Sequence, residues 1–243
     1  MQALPFDEAI AWAKKRKIIP PNVYYSEANI EYRTLTFSVA GISNLNTLSD
    51  ILDSLVKNLE TGETFETWKQ GILSKNILPE NRLYTVYHTN IQSAFNSGIY
   101  ERQKESEELY GYYMYSAVND SKTRPQHKAW NGFIARADDP FWKTNSPLCG
   151  YNCRCRRIAL NESQAIKRGY GKQSKPDQEP AEKDFQYDKT RGLKSIPVGV
   201  SEAETKAKDR ALQVEKSINE NTKQKKSLLY EAFLSWLISK IGG

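Results

Sequence analysis

The chain has 243 residues, of which 39% are hydrophobic and 26% charged, with a mean hydropathy of −0.69. That is long enough for one large or two small domains with a real core, and no run of about 18 apolar residues exists to cross a membrane as a helix. A net charge of +6 and a pI near 9.0 point toward acidic partners, and three cysteines cannot all pair within one chain, which argues against a disulfide framework and for a reducing compartment.

The N-terminus (MQALPFDEAIAWAKK) lacks the charged-then-apolar layout of a secretion signal, so none is expected. Phe6, Ala9, Ile10 and Ala13 predict a short amphipathic helix that Pro20-Pro21 ends. Leu45, Leu48, Leu52, Leu55 and Leu59 recur at three and four, one helical stripe, and Gly62 follows where a helix end favours a left-handed residue. Phe65, Trp68 and Ile72 predict a second short helix. Pro79 suits the first turn of a third, faced by Leu83, Tyr87, Ile91, Ala94 and Phe95 and running on through Tyr100–Glu108. These stripes read as core.

The pattern changes at Tyr112–Val118, a short aromatic-rich run that suits a strand, as do Phe133–Ala137 and Cys153–Leu160. Pro125, Pro140 and Pro147 punctuate the loops. Gly169–Asp188 is rich in Lys, Gln, Pro and Glu and reads as a mobile linker. Ser201 and Glu204 form a capping-box signature for a polar helix, and an apolar segment, Leu228–Ile241, closes the chain. The expected fold is α+β: a helical region over 1–110, a small basic mixed domain over 111–162, a linker over 163–200 and a helical tail over 201–243. The tail either folds back on the protein's own helices or docks on a partner such as the portal or another copy of itself, for which the spacing of Leu229, Ala232, Phe233 and Trp236 suits an anchor.

Chemistry concentrates between Ser121 and Arg157. This stretch holds all three cysteines, one of two histidines, and eight bases against two acids, an excess as large as that of the whole chain. His127, Cys149, Cys153 and Cys155 make a Cys3His donor set suited to one structural zinc ion. In a strand Cys153 and Cys155 would share a face with Cα atoms about 7 Å apart, awkward for a disulfide and workable for one ion. The competing reading makes the cysteines small buried hydrophobes, because C-x3-C-x-C is not one of the common paired zinc spacings. Lys128, Arg154, Arg156 and Arg157 are candidate nucleic-acid contacts. If the strand alternates, Arg154 and Arg156 lie opposite Arg157 and the cysteines. His127-Lys128-Ala129 lacks the glutamate of a zinc deaminase, no His-Glu-x-x-His is present, and no phosphate loop or nucleophile elbow appears. Asp138-Asp139-Pro140 reads as a turn rather than a cation site. No catalytic residue is assigned. The alternative kept is a metal-dependent enzyme such as a nuclease or toxin-like effector domain.

Asp120-x-x-Thr123-Arg124-x-x-His127, Trp130-Asn131-Gly132, Asp138-Asp139-Pro140-Phe141-Trp142 and Gly150-Tyr151-Asn152-Cys153-Arg154-Cys155 together resemble the signature of the phage Mu F-like minor head proteins, also called phage head morphogenesis proteins. Thr89-Asn90, Ala94, Gly98 and the opening FDEAI are similar to that family's upstream pattern, so the resemblance spans roughly residues 5–160. It implies a non-catalytic minor structural protein of a tailed-phage head, found in the virion head and, during assembly, in the host cytoplasm. The partners implied are portal and capsid proteins, and some relatives are linked to DNA packaging or delivery; non-specific DNA contact is a further expectation, and no membrane partner is expected. In that family a histidine often lies between the Trp and the Pro of the signature, where this chain has Lys143-Thr144-Asn145-Ser146, and Cys149 stands where another residue is more usual. Either Cys149 replaces a lost ligand or it is incidental.

Overall fold

The computed structural model describes residues 6–27, 33, 35–176 and 181–188. Two packed units share one long helix. In the first, α1 (Asp7–Lys15) places acids in its first turn and lysines in its last, which complements the helix dipole, and buries Ala9, Ile10, Trp12 and Ala13. A two-residue parallel pair follows, β1 (Lys17–Ile18) with β2 (Thr36–Phe37). The Arg16 side chain secures it by donating twice to Thr36 O and once to Asn90 Oδ1.

Helix α2 (Leu45–Thr61) starts where Asn44 Oδ1 accepts from Thr47 N at 3.0 Å, and stops at left-handed Gly62, φ 68°. Its buried stripe is Leu48, Ile51, Leu52, Leu55 and Val56. Helix α3 (Phe65–Ser74) is capped by Thr64 and buries Trp68 and Ile72. Helix α4 (Glu80–Glu105) has 26 residues, roughly 39 Å at 1.5 Å per residue. Pro79 sits at its N-cap rather than inside its first turn, and the helix ends at Glu105, short of the expected Glu108, as the chain turns toward the sheet. Phe95, read from spacing as core, is instead 38% exposed and stacks on Phe6.

The second unit is a three-stranded antiparallel sheet ordered β4-β3-β5: β3 (Tyr112–Ser116), β4 (Ile134–Arg136) and β5 (Arg156–Leu160). All three strands are shorter than the sequence runs, and Cys153 and Cys155 precede β5 rather than lie in it. Two short helices that carry no visible period, α5 (Pro125–Trp130) and α6 (Phe141–Asn145), cover one face. Between helices and sheet sits an aromatic core of Tyr113, Tyr115, Trp130, Phe133, Phe141 and Trp142.

Side-chain amides bond the backbone at both sheet edges. On the β5 side, α4 offers Asn96 Nδ2 to Cys155 O and Gln103 Nε2 to Arg157 O, two helical turns apart on one face. On the β4 side, Gln173 accepts from Ile134 N and donates to Gly132 O, standing in for a fourth strand. The α4 contacts tie the expected helical and basic regions together across the boundary at residue 110.

The stretch read as a mobile linker is in part folded. Helix α7 (Glu162–Lys167) opens on a capping box of Asn161 and Gln164. Ala181 and Phe185 are buried, with Phe185 edge-on to Tyr151 at 5.1 Å, because apolar groups in a polar run still gain from leaving water. The Ser201 capping box and the Leu228–Ile241 segment lie outside the described residues. No helix among the described residues is long and apolar enough to cross a membrane.

Candidate metal centre

Three of the four predicted ligands meet. Pro125 opens α5 and sets His127 on its inward face, 1% exposed and stacked on Trp130 with ring centroids 5.3 Å apart. The loop before α5 is fixed by Asp120, which accepts from Lys122 N and Thr123 Oγ1 at 3.0 Å each. Asp120 also takes a bidentate pair from Arg154 at 2.6 and 2.7 Å. Arg154 lies between the two cysteines, so this pair holds the histidine loop against the cysteine loop. The cysteine loop turns at left-handed Asn152, φ 58°, which bonds Thr89 and Thr85 of α4 at 3.1 Å each.

Cys153 Sγ lies 3.7 Å and Cys155 Sγ 3.6 Å from His127 Nδ1. All three donor atoms fall within 4.8 Å of one another, and the cysteines are 2% and 3% exposed. The Cys155 thiol donates to Cys153, and His127 and the Cys149 backbone N–H add to it, holding Cys153 well below the usual thiol range against the opposing effect of burial. The same shared proton, with burial, pushes Cys155 up. The buried His127 Nε2 has no hydrogen-bond partner, and the Tyr115 hydroxyl interacts with the Cys155 sulfur.

The fourth predicted ligand, Cys149, is fully buried, but its thiol faces Asn145 O and Ser146 O at 3.3 Å each. It touches the cluster through its backbone N–H.

The four basic candidates do not form one surface. Lys128 and Arg156 are exposed, and Arg154 is engaged by Asp120. Arg157 corrects the expectation: it is 4% exposed and cannot reach a phosphate. Its guanidinium carbon lies 3.9 Å from the Tyr113 ring centre and 4.4 Å from that of Tyr100, while Nε donates to Gln103 and a terminal nitrogen to Ser146 Oγ. Strand alternation turns it inward. Asp138-Asp139 is a turn, with Asp139 accepting from Phe141 N and from Lys175.

Asp120 and Tyr115 belong to this site and were not assigned to it from sequence. Asp120 stood inside the quoted signature, and Tyr115 on the inward register of its strand.

Residues 49–158, which contain the whole cluster, match the family described as Phage Mu protein F like protein. Over these residues the chain is similar to that family. It is 30% identical over 184 residues to a protein of Escherichia phage Mu that is named, provisionally, capsid assembly protein F; the match covers 66% of this chain and 42% of that one. It is 44% identical over 88 residues to the Mu-like prophage FluMu F protein of Haemophilus influenzae, covering 36% of this chain and 21% of that one. The chain thus spans less than half the length of these curated relatives. No solved structure matches it.

Proposed function

We propose that this chain is a minor structural component of a tailed-phage head and acts in capsid assembly through contacts with portal and capsid proteins. The observation that carries this is the family match over residues 49–158, joined by the assembly role in the name of the phage Mu relative. The role is structural rather than catalytic, located in the virion head after assembly in the host cytoplasm. Contact with packaged DNA is a secondary part of the reading. It rests on the exposed Lys128 and Arg156, and a phosphate contact of this kind is independent of base sequence and weakens steeply with salt.

Mass spectrometry of purified heads, with a pull-down on the portal protein, tests the main reading. The chain is expected in heads at low copy and retained by the portal; heads that lack it, in an infection where it is expressed, overturn the proposal. For DNA, retention measured against salt should fall to a lower, flatter curve when Lys128 and Arg156 are both changed to Glu. Arg157 is left intact so that folding is not disturbed.

A further inference from the structure

We propose that His127, Cys153 and Cys155 hold one zinc ion, and that the Cys149 thiol turns from its carbonyl contacts to complete a tetrahedral Cys3His site. This does not depend on the head-assembly reading.

Separation is the first ground. Zinc–sulfur bonds of about 2.3 Å and zinc–nitrogen bonds of about 2.0 Å, set at tetrahedral angles, place sulfur and nitrogen about 3.6 Å apart. The structure puts both thiol sulfurs 3.6–3.7 Å from His127 Nδ1. A hydrogen bond to sulfur does not require two sulfurs to share one ring nitrogen at matching distances; a common ion does.

Donor chemistry is the second ground. Thiolate and neutral imidazole suit zinc, and the cluster is closed to solvent on every side, as structural sites are.

The third ground concerns Cys149 and charge. Its backbone N–H already reaches Cys153, so its side chain starts beside the site. Its present contacts are with carbonyl oxygens, which a thiol can donate to only weakly and a thiolate cannot donate to at all. Three thiolates and a neutral imidazole around zinc carry one net negative charge. Arg157 is a buried cation near that site: it bonds Ser146 Oγ, on the residue whose carbonyl the Cys149 thiol now faces, and it also feels Glu107 and Asp188. Buried charges are stable when compensated.

The test uses the full chain, purified under reducing conditions without chelator, with elemental analysis and replacement of the metal by cobalt(II). About one zinc per chain and sulfur-to-cobalt charge-transfer bands of a tetrahedral site are expected. Protein that carries no zinc and shows no spectral change on cobalt titration overturns the proposal, and this arm needs no variant that might fail to fold. Cys149→Ser should keep about one metal per chain and lose roughly a third of the charge-transfer intensity, since one of three thiolates is gone. Unchanged intensity in that variant removes Cys149 from the ligand set and overturns the Cys3His assignment.

Discussion

Two glycines on helices give opposite forecasts for the same substitution. Gly98 lies in α4 where it crosses α1. A Cβ there would come 2.8 Å from Ala9 N and 2.9 Å from the Phe6 ring. The ring sits at the chain's entry to α1 and can swing; the Ala9 backbone is inside the helix and cannot move alone. Gly71 lies on the exposed face of α3, and a Cβ there meets nothing within 4 Å. Replacing a helical glycine by alanine gains about 1 kcal/mol from the unfolded chain's lost freedom. Gly71→Ala should therefore stabilise by about that much. Gly98→Ala collects the same gain and sets against it an overpacking cost of about 1–3 kcal/mol, so it should lie about 1–3 kcal/mol below Gly71→Ala, near or under the parent. Urea titrations at constant m read the difference directly as a midpoint shift. If both variants raise the midpoint equally, the close approach of α4 to α1 is not as described.

Other forecasts concern the tethers of the site. The Asp120 carboxyl is held well below the usual range by the Arg154 guanidinium first, and then by Thr123 and the Lys122 backbone N–H, with burial opposing. A depressed native pKa adds stability that is fully present above the unfolded value near 3.9 and is lost as pH falls through the native one. Asp120→Asn should thus melt below the parent at neutral pH, with the gap closing under acid; a gap that stays constant down to the lowest pH at which the protein folds would rule this linkage out. Gln173→Ala should cost about 1 kcal/mol by leaving Gly132 O and Ile134 N without their partner, seen as faster exchange of the Ile134 amide; unaltered exchange there would show that the amide bridge is not formed in solution.

The long helices were legible because α2, α3 and α4 carry apolar groups at three- and four-residue spacing over ten residues or more, and caps such as Asn44, Thr64 and Gly62 mark their ends. Helices α5 and α6 were not, since six and five residues hold too few turns for a period to show. Their position comes from packing: Trp130, Phe141 and Trp142 are driven into one aromatic core with Tyr115. At the site, residue type singled out His127, Cys153 and Cys155, but only three-dimensional structure shows that the Cys149 thiol faces helix-end carbonyls. Arg157 was misleading because a run of arginines reads as a solvated face. Alternation was the better guide: Cys153, Cys155 and Arg157 are buried while Arg154 and Arg156 are more exposed.

The bonded sheet edges limit how this protein meets a partner. A free strand edge would invite pairing with another chain, the usual hazard of a small sheet and a common means of assembly. Here Gln173 bonds Gly132 O and Ile134 N at the β4 edge, and Asn96 and Gln103 bond Cys155 O and Arg157 O at the β5 edge. The same two α4 residues hold the backbone on either side of Arg156, so α4 fixes β5 while also packing α1. Strand addition at either edge would have to break these amide contacts and, on the β5 side, displace the helix that joins both cores. A partner that left these amide contacts intact would meet side-chain surfaces of the described residues, and the sheet then serves to hold the histidine and cysteine loops in register rather than to offer a strand edge.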